Sequence, residues 1–214
     1  MRALDLFCCA GGASRGLERA GFVVEGVDIE DQPEYPGTFV QADALTYPLH
    51  GYSLIWASPP CQAFTAYKRR PGHVAAKDNL IPAVRARLRA SGIPYIIENV
   101  VGAPLENPRR LCGSMFGLDV QRHRIFEASF PLPEMACRHD VWTPRYPGAT
   151  NRAKLSRKTV EVGVYRIPLS TQRKAMGIEW MSLAKLSQAI PPAYAEWLGL
   201  QARAHIKASD RNLS

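Results

Sequence analysis

Ser53-Leu54-Ile55-Trp56-Ala57 is a short apolar run with the make-up of a buried strand, and Ser58-Pro59-Pro60-Cys61-Gln62 stops it abruptly. Two consecutive prolines remove two backbone donors and fix φ, so the strand cannot continue and the turn is stiff. The Cys61 thiol is therefore predicted on a rigid loop just beyond the carboxyl end of a strand. In open α/β sheets that edge is where ligands bind. A cysteine at an arbitrary place is a small buried hydrophobe. One presented by a Pro-Pro-Cys-Gln turn is a candidate nucleophile.

The same arrangement recurs with a different payload. Ile93-Pro94-Tyr95-Ile96-Ile97 is a second apolar run, and it ends in Glu98-Asn99-Val100. A carboxylate at the end of a buried strand is costly to desolvate unless it is paired or protonated. Glu98 is thus a candidate for a raised pKa and for proton handling, against the plain alternative of a solvated rim residue.

At the amino terminus, Ala3-Leu4-Asp5-Leu6-Phe7 reads as a first strand. Cys8-Cys9-Ala10-Gly11-Gly12-Ala13-Ser14 follows as a turn into a helix reaching about Ala20. Glycines in such a turn let backbone and ligand approach closely. Phe22-Val23-Val24-Glu25-Gly26-Val27-Asp28 is a second strand. It ends in an acid about twenty residues beyond the turn, a spacing that suits a carboxylate gripping ribose hydroxyls.

Together these motifs resemble the DNA (cytosine-5) methyltransferase family. Asp5 to Gly12 is similar to the family's cofactor motif, Pro60-Cys61-Gln62 to its nucleophile motif and Glu98-Asn99-Val100 to its acid motif. Arg122-His123-Arg124-Ile125-Phe126 resembles the arginine pair on a later strand, and Gln188-Ala189-Ile190-Pro191-Pro192 the closing motif. The chain departs from the pattern in three places. Cys9 stands where the family has glycine, Val120 where it has glutamine (Gln121 comes one place late), and Ser187-Gln188 where it has Gly-Asn.

The resemblance implies an α/β, Rossmann-like S-adenosylmethionine-dependent methyltransferase fold with a small irregular recognition insert. It divides the chain into a catalytic cofactor-binding domain, 1–127 plus 169–206, and a target-recognition insert, 128–168. The implied activity is methyl transfer from S-adenosylmethionine to C5 of cytosine in double-stranded DNA. The base is flipped out of the duplex and held by a covalent Cys61–C6 bond. Attack needs the thiolate. Glu98 would bond N3 and the exocyclic amine, and Arg122 and Arg124 would fix the base and a phosphate. Implied cofactor contacts are Phe7, Cys9, Ala10, Gly11, Gly12, Asp28, Ile29, Asp43 and Pro60, with Asp43 facing the adenine amine.

Composition agrees with that substrate. In 214 residues, 27 Lys+Arg against 19 Asp+Glu give a formal charge of +8, which suits a polyanionic partner. Five cysteines without paired metal-ligand spacing point to a reducing compartment. Cys137 and His139 alone are too few ligands, so no metal is assigned. No signal-like segment or membrane span is read, and a cytoplasmic monomer, in a bacterial or phage-infected cell, is expected.

The charge is concentrated in two places. Lys68, Arg69 and Arg70 follow the nucleophile, beside Gln62, in a stretch that reads as a loop able to close over a phosphate backbone. Within 128–168, prolines break any long element, while Arg152, Lys154, Arg157 and Lys158 interleave with aromatics as DNA contacts. So short an insert offers few base-reading side chains, which implies a recognition sequence of about two to four base pairs. The helix predicted over 78–90 carries Arg85, Arg87 and Arg89, read as a solvated face. Ser170 and Ser182 are expected to cap the next two helices and Pro191-Pro192 to start a last one, with His205 and the tail after Lys207 frayed. The alternatives are an enzyme acting on RNA or free pyrimidine nucleotides, and an idle nucleic-acid-binding relative, which would not need Cys61, Glu98 and Arg124 together.

Overall fold

The computed structural model describes residues 1–64, 79–138 and 159–211. Its centre is a sheet of seven strands: β1 (Arg2–Leu6), β2 (Val23–Asp28), β3 (Thr38–Gln41), β4 (Leu54–Ala57), β5 (Tyr95–Asn99), β6 (Arg109–Leu111) and β7 (Arg124–Ala128). They lie in the order β3-β2-β1-β4-β5-β7-β6. The first five pair in parallel, whereas β7 runs antiparallel to both β5 and β6. β4 and β5 are buried at every residue, as strands covered on both faces must be, which explains runs such as Leu54-Ile55-Trp56-Ala57 without polar alternation. The α/β, Rossmann-like architecture expected from the sequence is present.

Among the described residues there are five α-helices: α1 (Gly12–Arg19), α2 (Ile81–Ser91), α3 (Leu169–Met176), α4 (Leu183–Gln188) and α5 (Pro192–Arg211). α1 and α5 lie side by side and parallel. A Cβ on Gly12 would meet the Ile190 carbonyl at 2.9 Å, and one on Gly16 would collide with the Pro192 carbonyl. Further along, Arg203 Nη1 donates to the Ala20 carbonyl at 2.5 Å and so caps the end of α1. The glycines of the first helix thus serve close helix packing as much as any ligand.

The crossover from β2 to β3 has no helix. Tyr35 fills that space, its ring standing where a Cβ on Gly26 would have to go. Its hydroxyl donates to Ser14 Oγ at 2.7 Å, and Ser14 donates to Asp5 Oδ2 at 2.5 Å. Asp5 is fully buried beneath this chain of hydroxyls, with its other oxygen unpartnered, and burial raises its pKa to about 7.

Several local expectations are corrected. α2 starts at Ile81, three residues later than predicted, because Pro82 fits only a first turn and Asn79 Oδ1 accepts the Ile81 amide at 3.1 Å. The helix over 169–176 has Pro168, not Ser170, at its N-cap position, and no side chain caps it. The tail is not frayed after Lys207: α5 continues to Arg211, and the His205 ring stacks on Phe130 at 5.3 Å. Nor is the arginine face of α2 simply solvated. Arg85 grips the buried Glu127 carboxylate through Nη2 at 2.7 Å, and Arg87 donates to the Ala44 and Tyr47 carbonyls. Among the described residues, no helix is long and apolar enough to cross a membrane.

Candidate active site

The turn after β4 and the end of β5 are fastened to each other. Asn99, fully buried, donates its side-chain amide to the Pro59 carbonyl at 2.9 Å. Ser58 Oγ accepts the Trp56 indole N–H at 2.9 Å and hydrogen-bonds the Glu98 carboxyl. Cys61, next along the turn, accepts the Phe64 amide on its carbonyl at 2.8 Å and keeps its thiol half-buried. These bonds fix the backbone of the turn that carries Cys61 relative to the end of β5.

Glu98 lies inside β5 at 8% exposure, and Arg124, the first residue of β7, places Nε 3.2 Å from its Oε1. The antiparallel pairing of β5 with β7 produces this meeting, since it sets Glu98 opposite Phe126. Burial pushes the Glu98 carboxyl above the usual carboxylate range, with Arg124 and Arg122 pulling the other way. Burial and then the Glu98 charge push the Cys61 thiol up, and Arg124 and Arg122 again oppose. The three groups therefore tune each other: any change of charge on Glu98 is felt at the sulfur.

Arg122 has a second set of partners. Its Nε and Nη2 donate to the Ala189 and Ser187 carbonyls, each at 2.6 Å, from a backbone at φ 33°. Burial lowers its pKa to about 9, with Arg124 adding to the effect. The guanidinium thus ties the strand carrying Arg124 to the segment before α5. A cleft of about 320 Å³ opens beside the two arginines, lined further by Val120, Gln121 and residues 159–162.

On the other side of the sheet edge, the turn 7–12 lies beside Asp28. Phe7 and Cys9 both take positive φ, 60° and 45°, so Cys9 occupies a conformation that favours glycine. Its amide donates to Asp28 Oδ2 at 2.9 Å, and the Glu30 amide donates to Oδ1 at 3.0 Å. The Ala10 carbonyl accepts the Trp180 indole N–H at 2.8 Å, and Gly11 is shielded by Tyr35 and Pro36. Ile29 projects at 66% exposure beside Asp28. Asp43 is exposed, with Oδ1 accepting the Leu45 amide at 2.8 Å.

The structure thus gathers Cys61, Pro60, Glu98, Arg122 and Arg124 on one side of the sheet edge, and Phe7, Cys9, Asp28, Ile29 and Asp43 around the first turns. Gln62 is exposed beside Cys61. Lys68, Arg69, Arg70, Arg152, Lys154, Arg157 and Lys158 lie outside the described residues. Ser58, Asn99 and Trp180 are site residues that sequence reasoning missed. Only Asn99, directly after the strand-end acid, carried a signal: a short amide at that place has a loop carbonyl to bond.

The strand order, with its one antiparallel strand inserted next to the edge, defines a Rossmann-like methyltransferase fold. No family model and no curated protein matches the sequence. Solved structures do. The chain is similar to the Dnmt2 methyltransferase of Schizosaccharomyces pombe, with a TM-score of 0.56 and 13% identity over 94% of this chain and 98% of that one. It is similar also to a triple mutant of Dnmt2 from Spodoptera frugiperda, with a TM-score of 0.58 and 13% identity over 94% and 99%. A candidate DNA modification methyltransferase encoded in an E. coli prophage matches over 59% of this chain at 21% identity and TM-score 0.45; the chain spans 45% of that protein's length.

Proposed function

We propose that the protein transfers a methyl group from S-adenosylmethionine to C5 of cytosine in double-stranded DNA. The observation that carries this reading is the convergence of Cys61, Glu98 and Arg124, a nucleophile, a buried acid and its cation, at the carboxyl edge of the sheet. A binding module has no need of that trio.

The residues fit the cofactor. Asp28 has one donor on each oxygen, which leaves further lone pairs for ribose hydroxyls. Ile29 offers an apolar face beside it, and Asp43 an exposed carboxylate after β3 for an exocyclic amine. Bound S-adenosylmethionine supplies an electrophilic methyl group. The rest of the work belongs to the chain. C5 of cytosine is a poor nucleophile, so Cys61 gives its thiol proton to solvent and the thiolate adds to C6, moving electron density through the ring toward C5. Glu98, whose burial favours the protonated form, places its proton at N3 and neutralises the charge developing there. Arg124 holds the Glu98 carboxyl in place. Once the methyl is on C5, solvent water takes the C5 proton, the C5–C6 double bond re-forms as Cys61 leaves as thiolate, and N3 returns its proton to Glu98.

The test is transfer of label from S-adenosylmethionine to duplex DNA, RNA and free cytidine nucleotides, followed by bisulfite sequencing of the DNA product. Methylation of duplex at a short sequence is expected. Neutralising Arg152, Lys154, Arg157 and Lys158 should flatten the slope of log affinity against log salt by roughly 0.9 for each phosphate left without its cation. An unchanged slope with intact activity, or transfer only to RNA or nucleotides, would overturn the duplex-DNA reading.

A further inference from the structure

We propose that Cys112, His123 and Cys137 bind a zinc ion that staples the start of the recognition insert to the arginine-bearing strand. The three come from separate parts of the fold. Cys112 directly follows β6 and is fully buried. His123 stands between Arg122 and Arg124, just ahead of β7. Cys137 lies in the segment that leaves β7 for the insert. Their donor atoms nevertheless all lie within 4.8 Å of one another, and His123 Nε2 is 3.4 Å from Cys137 Sγ. Tetrahedral zinc with bonds of about 2.3 Å to sulfur and 2.0 Å to nitrogen needs neighbouring donors roughly 3.6 Å apart. The cluster needs only a slight contraction to meet that geometry.

An orienting shell is also in place. The Arg138 amide donates to Ser114 Oγ at 3.1 Å, and the Ser114 hydroxyl donates to Cys112 Sγ at 3.3 Å. A relay of this kind fixes a ligand before metal arrives. Two soft thiolates and an imidazole select zinc over magnesium or calcium. Binding replaces the two thiol protons with the metal, and water completes the tetrahedron. The proposal departs from the expectation of no metal, which rests on Cys137 and His139 alone. Cys112 and His123 are 25 and 14 residues upstream of Cys137, without the short spacing of a zinc motif. His139 lies outside the described residues and is not counted in the site. The consequence is positional. With His123 on the metal, the backbone between Arg122 and Arg124 is held from the insert side, so the insert and the Glu98 partner share one anchor.

The test is metal content and needs no substrate, so its outcome is separate from that of the methyl-transfer reading. Protein purified under reducing conditions without chelator is expected to carry about one zinc per chain. After chelation, cobalt titration should give tetrahedral d–d bands and a charge-transfer band of two-thiolate intensity. Cys112→Ser, Cys137→Ser and His123→Ala should each weaken binding by more than about tenfold. If a variant fails to fold, the wild-type zinc count and cobalt spectrum still decide. Protein without zinc that gives no cobalt bands, a double Cys112→Ser/Cys137→Ser variant that binds as wild type, or a Cys112–Cys137 disulfide in the isolated chain would overturn the proposal.

Discussion

The Asn99 side-chain amide donates to the Pro59 carbonyl at 2.9 Å, which locks the end of β5 to the turn that presents Cys61. The bond joins the turn of Cys61 to the strand of Glu98, although 37 residues separate the two in sequence. Asn99→Ala leaves the Pro59 carbonyl without this donor in a dry site. Stability should fall by about 1–3 kcal/mol in urea titration. Single-turnover methyl transfer should fall further than stability alone explains, with cofactor affinity nearly unchanged.

Charge on Glu98 and Arg124 acts on the Cys61 thiol in opposite directions, and this is separable by experiment. Burial and then Glu98 raise the thiol, whereas Arg124 lowers it. Glu98→Gln should move the pH midpoint of Cys61 alkylation to lower pH, and Arg124→Ala should move it higher. Alkylation rates of the two variants across pH 6–11 check the pair. Shifts in the same direction would show that the sulfur does not sense both groups.

Asp5 gives a signature in stability against pH. Burial raises its folded pKa to about 7 from an ordinary 3.8. Between those values the native state holds a proton that the unfolded chain has released, so this group's contribution is complete below about pH 4, declines as pH rises, and is lost above about pH 7. The loss is on the order of 4 kcal/mol. Asn does not titrate. Asp5→Asn should therefore show a much smaller fall in unfolding free energy from pH 4 to 7 than wild type, measured by denaturant titration at each pH.

Arg85 shows what the helical pattern concealed. Its side chain and that of Glu127 are 11% and 4% exposed, and its Nε and Nη2 both donate to the Glu127 carboxylate. Arg85→Ala strands a buried carboxylate and should cost about 3–5 kcal/mol in a denaturant titration. The double variant Arg85→Met/Glu127→Leu should recover most of that loss.

Much of this protein could be read from its sequence because its first motifs are local. A buried run, a stiff turn and a strand-end acid state their own structure, so β1, β2, β4 and β5 fall close to their expected places. The parts that escaped are non-local. β6 has three residues, two of them arginine, and carries neither alternation nor an apolar run. The partners of Arg85, Arg87 and Arg122 lie 19 to 67 residues away, so no window of sequence contains them. The Cys112–His123–Cys137 cluster joins the end of β6, the residue before β7 and a segment beyond β7, with the antiparallel β6–β7 pairing placing the first two side by side. Spacing rules find side chains that share one turn, and these three do not.

A covalent bond between Cys61 and C6 of the target base can be tested directly with a duplex carrying 5-fluorocytosine at the methylated position. Fluorine cannot leave as a proton does, so elimination is blocked and the adduct persists. Incubation with S-adenosylmethionine should yield a denaturation-resistant protein–DNA complex. Peptide mass mapping should then place the DNA on Cys61, with none formed by Cys61→Ala. Full methylation of ordinary cytosine by Cys61→Ala, or wild type that methylates the normal duplex yet is never trapped on the fluorinated one, would contradict covalent catalysis by Cys61.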